Sequence, residues 1–223
     1  MKSIHLCLVA GLAIGLGGLT AHADTFYTSS AAWTAAVSGT PTTINFEGLT
    51  APDTFIFIGT GPGTSLVQGG VTFAVGPSGT NNSFFVLGDD YFGYPQATIS
   101  LEPTDFSAPA DLLITLPSPT TAIALAFDWS SLIIAGDATI TLSDGTVLTE
   151  PSSILPSFQF LGVTAPGGIN SVEITLPSTF GLELSDFSYV SQSAIPEPSS
   201  FLLLGSGLVG LAGMVRRKIG ARA

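Results

Sequence analysis

From residue 42 to residue 190 the chain repeats one short pattern: a run of apolar or apolar-polar alternating residues, then a break of Gly, Pro, Asn or Asp, roughly every ten residues. A period of two over such short runs fits strands and leaves no room for intervening helices. The candidate strands are 42–47, 55–58, 71–75, 84–87, 97–101, 112–116, 122–129, 138–142, 147–150, 158–163, 171–176 and 182–190. About a dozen strands without crossover helices predict an all-β fold, an antiparallel β-sandwich or jelly roll. One short N-terminal helix is expected at 28–37. There Thr28, Ser29 and Ser30 precede a run of helix formers that ends before Gly39-Thr40-Pro41.

Two segments show how the strands should present their faces. In 122–129, Ile123, Leu125, Phe127 and Trp129 take the core side, whereas Ala122, Ala124, Ala126 and Asp128 face away. In 139–148 the chain turns back at Asp144-Gly145, a pair that tolerates the positive φ of a tight hairpin. The fragment Ile114-Thr115-Leu116-Pro117-Ser118 recurs as Ile174-Thr175-Leu176-Pro177-Ser178, which reads as two strands each stopped by proline.

The charges are distributed as unevenly as the apolar residues. Five Lys and Arg oppose sixteen Asp and Glu, and the five lie at the ends: Lys2, Arg216, Arg217, Lys218 and Arg222. From Asp24 to Ala194 there are fifteen carboxylates and no Lys, Arg, His or Cys. Residues 1–23 read as a signal peptide: basic Lys2, an apolar run, then Ala21-His22-Ala23 as an A-x-A cleavage site. Cys7, His5 and His22 lie within it, so the 24–194 ectodomain must be held by its core, without a disulfide. About 170 residues suffice for that.

Residues 195–223 form a tail in three parts. Pro196-Glu197-Pro198 is held extended by its prolines, residues 199–215 carry no charge, and Arg216-Arg217-Lys218 opens the basic end 216–223. Seventeen residues span about 25 Å as a helix, near the lower limit for a transmembrane helix. The basic end places the C-terminus in the cytoplasm. Gly205-Ser206-Gly207-Leu208-Val209-Gly210 fits G-x-G-x-x-G, but no βαβ unit or later acidic residue accompanies it. Small residues packing in a membrane helix explain it better.

The tail resembles the PEP-CTERM sorting signal of Gram-negative surface proteins. The residues that carry the resemblance are Pro196-Glu197-Pro198, the glycine-rich apolar stretch and Arg216-Arg217-Lys218. It implies recognition by an exosortase-type membrane transpeptidase and release or attachment at the cell surface, in company with exopolysaccharide. Ile44-Asn45-Phe46-Glu47-Gly48-Leu49, Gly70-Val71-Thr72-Phe73, Phe160-Leu161-Gly162-Val163 and Leu184-Ser185-Asp186-Phe187-Ser188-Tyr189 look like the β-rich, lectin-like ectodomain of such proteins.

The missing residue types exclude most chemistry. Without His or Cys, the ectodomain has no Ser-His or Cys-His nucleophile and no ordinary zinc site. Without Lys or Arg it has no phosphate clamp and no footprint for nucleic acid. Carboxylate chemistry remains, so a glycosidase is the enzymatic alternative. The leading reading is a non-enzymatic surface or matrix protein associated with exopolysaccharide, and the second is a carbohydrate-binding module.

Two sites are expected. Fifteen carboxylates without basic partners suit Ca²⁺, and Glu47 with Asp186 is the candidate pair for a structural ion. Asp186 sits where the alternation of Leu182 and Leu184 slips against Phe187 and Tyr189, which signals a bulge. The resemblance to jelly-roll carbohydrate-binding modules implies the same between early and late strands. The second site is the loop Gly88-Asp89-Asp90-Tyr91-Phe92-Gly93-Tyr94, where Tyr91 and Tyr94 would stack on a sugar and Asp89 and Asp90 accept its hydroxyl hydrogen bonds.

Overall fold

The computed structural model describes residues 24–105, 108–128, 138–150, 158–177 and 181–191. They fold as an all-β, antiparallel domain with one short helix. In chain order the elements are β1 (Thr25–Tyr27), α1 (Ser30–Ala36), β2 (Thr42–Asn45), β3 (Phe55–Thr60), β4 (Ser65–Gln68), β5 (Val71–Val75) and β6 (Asn82–Leu87). A 3₁₀ turn (Tyr91–Gly93), β7 (Thr98–Pro103), β8 (Ala110–Asp128), β9 (Ala138–Leu142), β10 (Val147–Glu150), β11 (Gln159–Leu176) and β12 (Leu182–Ser191) follow. Leader residues 1–23, the tail residues Pro196, Glu197, Pro198, Arg216, Arg217 and Lys218, and Trp129 lie outside the described residues.

The strands run β10-β9-β11-β8-β12-β7-β6-β3, with β1 on β11, β2 on β12, β5 on β8 and β4 on β5. Strand β8 is the spine. Its first part, Leu112 to Thr115, pairs with β5, and its later part, Thr120 to Asp128, pairs with β12. The sheet therefore turns along β8, and its inner side chains meet across one core. Phe73 of β5 packs edge-on against Phe187 of β12 at 5.9 Å and against Phe46 at 5.2 Å.

The expected alternation holds where it was sharpest. Ile123, Leu125 and Phe127 are buried in the core, and Gly145 takes φ 92° at the β9–β10 hairpin. The proline reading needs a correction for β8. That strand continues past Pro117 because Leu116 to Pro119 loops out of register between Thr115, opposite Ser171, and Thr120, opposite Ile169. A proline that donates no ladder hydrogen bond is accommodated in such a bulge. In β11 the same tetrapeptide behaves as expected, for the strand ends at Leu176, one residue before Pro177.

Ala122 and Ala124 face away from the main core but are not open to water. They form a second small core with Trp33 of α1 and Val190. Trp33 donates its indole N–H to the Val163 carbonyl at 3.2 Å, and its ring lies over Gly162, where a Cβ would fall 2.5 Å from ring carbon Cδ1. Gly162→Ala should therefore lower stability by about 1–3 kcal/mol through overpacking alone. A thermal melt reads this; an unchanged melting temperature would mean that α1 does not rest on β11.

The start of β6 is pinned by buried polar groups. Asn82 donates to the Pro109 carbonyl and accepts the Asp111 backbone N–H, both at 2.8 Å, while Asp111 accepts the Ser78 backbone N–H at 2.8 Å. This network fixes the strand that carries the central ring of the site below.

Candidate functional site

Strands β3 and β6 are apolar on both faces, which is unusual for the outside of a sandwich. Phe84 and Val86 of β6 enter the core, so Phe85 lies on the opposite face, where Leu87 beyond it is buried. Antiparallel pairing sets Phe57 opposite Phe85 and Phe55 opposite Leu87. The three phenyl rings and Tyr91 of the following turn form one array. Phe85 meets Phe57 at 5.4 Å and Phe55 at 5.7 Å, Phe55 meets Tyr91 at 5.7 Å, and Tyr91 meets Phe92 at 4.5 Å. Mutual edge-to-face contacts hold these rings in place. Phe55 and Phe57 are 51% and 54% exposed, so the array is open to solvent.

Hydrogen-bonding groups flank the rings at both ends. Ser83, outward on β6 beside Phe85, meets Thr60 of β3 hydroxyl to hydroxyl at 3.4 Å. At the other end Asp90 is exposed at φ 64°, and the Asp89 carbonyl accepts the Asp53 N–H at 2.9 Å. Polar groups beside open ring faces are what a sugar requires: C–H faces stack, hydroxyls bond.

The same register line continues inward as a polar row. Ser100 of β7 lies opposite Phe85, Glu183 of β12 opposite Ser100, and Asp128 of β8 opposite Glu183. Glu183 and Asp128 are both buried. The Ser100 hydroxyl donates to Glu183 Oε1 at 3.4 Å, and Glu183 Oε2 has no partner among the described residues. Burial, then the charges of Asp128 and Glu102, push the Glu183 carboxyl up to about 8. It is therefore mostly neutral at pH 7. Burial raises Glu102 in the same direction.

Of the residues expected to bind sugar, Tyr91 joins the array, Asp90 is exposed beside it and Asp89 is half-buried. Tyr94 corrects the expectation. It is buried, and its ring packs on Phe158 at 5.3 Å, so it offers no open face. Phe55, Phe57 and Phe85 carry most of the array and were read from sequence only as strand residues. Their signal was the lack of polar alternation in Phe55-Ile56-Phe57-Ile58 and Phe84-Phe85-Val86-Leu87.

Glu47 lies within electrostatic reach of Asp186. The register shift between Leu184 and Asp186 is the anticipated bulge, and Asp186 lies opposite Asn45, two residues before Glu47. Burial, then the Glu47 charge, raises the Asp186 carboxyl. Glu47 Oε1 accepts the Ala97 N–H at 3.1 Å. Among the described residues no three acidic, His or Cys side chains converge as a metal site.

Residues 194–218 match the PEP-CTERM protein-sorting motif, so the chain is an exported protein processed at the membrane. No curated protein sequence matches it. Among solved structures, a family 29 carbohydrate-binding module complexed with mannohexaose aligns at 10% identity over 63% of this chain and 94% of that one, with a TM-score of 0.38. The enzymatically active domain of tailspike protein 4 of bacteriophage CBA120 aligns at 16% identity over 66% and 20%, with a TM-score of 0.32.

Proposed function

We propose that this is a non-enzymatic surface protein of a Gram-negative bacterium that holds neutral extracellular polysaccharide on the aromatic face of β3 and β6. The leader 1–23 is removed on export, and an exosortase-type transpeptidase acts near Pro196-Glu197-Pro198, before the membrane helix 199–215. The open ring array of Phe55, Phe57, Phe85 and Tyr91 carries the reading, because locked rings flanked by hydroxyls and a carboxylate suit a pyranose chain. Neutral polymer is favoured because fifteen carboxylates without a basic partner repel polyuronates. A glycosidase reading is weakened by the burial of Asp128 and Glu183, since hydrolysis needs two carboxyl groups that reach substrate.

Affinity electrophoresis of the exported chain tests this. Gels containing β-glucan, glucomannan or galactan should include at least one that retards the protein, while alginate should not, and no reducing sugar should appear. Equal mobility in every gel would contradict the proposal, and sugar release would make the protein a glycosidase.

Calcium bridging Glu47 and Asp186 is also proposed, supported by the like charge that Glu47 places on half-buried Asp186. Water and backbone oxygens would complete the shell. Ca²⁺ at a hundredfold excess over Kd should add about 2.7 kcal/mol, several degrees of melting temperature. Asp186→Asn should lose most of that gain, and Mg²⁺ should not replace Ca²⁺. A melt indifferent to chelator would dismiss the site.

A further inference from the structure

Among the described residues five strands are paired on one side only: β10 and β3 at the ends of the main path, and the shorter β1, β2 and β4 beside it. An end strand presents unpaired backbone donors and acceptors, which proteins usually protect with charge or proline. Strand β10 (Val147–Glu150) contains Glu150 and follows the Asp144 turn. Strand β3 has no such protection. From Thr54 to Gly88 the sequence contains no charged residue, in a domain with fifteen carboxylates, and Ile56 between the two exposed phenylalanines is itself 43% exposed.

We propose that two copies of this chain pair edge to edge through β3, antiparallel, about a twofold axis at Ile56. Phe55-Ile56-Phe57 reads the same in both directions, so this register sets Phe55 of each copy opposite Phe57 of the other and Ile56 opposite itself. Such an isologous contact needs no foreign partner, and cross-strand aromatic pairs stabilise it. The uncharged edge is also where two strongly acidic copies repel least. Asp53, the nearest carboxylate along the chain, lies three residues from the axis, so the two Asp53 groups stand about 20 Å apart, beyond the screening length of about 8 Å at physiological salt. Asp89 and Asp90 lie at that same outer end, since the Asp89 carbonyl bonds the Asp53 N–H.

The symmetry has a functional consequence. A twofold that joins equivalent edges antiparallel runs perpendicular to the sheet, so both copies turn the same face to the same side. The two ring arrays become one continuous row along a doubled sheet. The pairing itself does not depend on the polysaccharide reading. The register shift between Phe57 and Gly59 keeps the contact short, so it is weak in dilute solution and strengthened where copies are held together on a surface or polymer.

Cysteine cross-linking of the full exported chain tests this without any ligand. Two antiparallel partners across a twofold have Cα atoms about 4.5–5.5 Å apart, within disulfide range. The exported chain has no cysteine once the leader with Cys7 is removed, so Ile56→Cys should shift most of the chain to twice the monomer mass on a non-reducing gel, reversed by reductant. Val67→Cys, at a position 62% exposed on β4, should stay monomeric, and adding Phe57→Asp to Ile56→Cys should restore the monomer. If Ile56→Cys remains monomeric under oxidation, or Val67→Cys dimerises equally, the pairing is wrong.

Discussion

The melting temperature of the exported chain should fall by on the order of 10 °C as the pH rises from 4.5 to 8, the reverse of ordinary acid denaturation. The cause is Glu183. Its carboxyl titrates at about 8 in the fold against 4.5 ordinarily, raised by burial and by the charges of Asp128 and Glu102. A group raised in the native state binds its proton more tightly there than in the unfolded chain. Its stabilisation is therefore complete below pH 4.5, declines as pH rises and is gone above 8. At about 1.36 kcal/mol per pH unit this amounts to about 4–5 kcal/mol. The raised carboxyls of Glu102, Asp186, Glu173 and Asp24 add slope of the same sign. Glu183→Gln, which keeps the shape of the neutral acid, should lose most of the slope and melt higher than the parent at pH 8.5. A parent chain that grows more stable with pH, or a variant that keeps the full slope, would show that Glu183 is not buried as described.

The strand pattern was legible because one-sided burial writes itself as alternation. Residues 71–75, 138–142 and 147–150 match the observed strands to the residue. Thr25–Tyr27 and Ser65–Gln68 escaped because three and four residues are too short a run to display a period, and their core-packed residues Phe26 and Leu66 are only partly buried. The merging of 112–116 with 122–129 into one strand was invisible because prolines in a bulge look locally like prolines that end a strand. The bulge before Asp186 was readable, since a one-residue slip exchanges the core face of everything that follows.

The site was read less completely, for a physical reason. Tyr91 and Tyr94 sit three residues apart in one loop with similar neighbours, yet one joins the open array and the other is buried on Phe158, 64 positions further along the chain. Nothing local distinguishes them. Likewise Leu182-Glu183-Leu184 places Glu183 on the outer face but does not show that the face is closed there. The outward rings did leave a trace: a strand whose non-core positions are also aromatic has no need of water.

The ring array is the centre of the account, and its most direct test removes rings that do not lie on β3, so that edge pairing is untouched. Phe85 touches both Phe55 and Phe57, and Tyr91 closes the other end. The double variant Phe85→Ala with Tyr91→Ala should weaken binding to the neutral polysaccharide that retards the parent by about a hundredfold. That is the roughly 3 kcal/mol expected when two central aromatic contacts are truncated. Val147→Ala, at an exposed apolar position on β10, should bind like the parent. Affinity measured on folded variants at pH 6 decides the matter. A hundredfold loss confined to the ring variant is the predicted result, and a folded double variant that binds as tightly as the parent would contradict it.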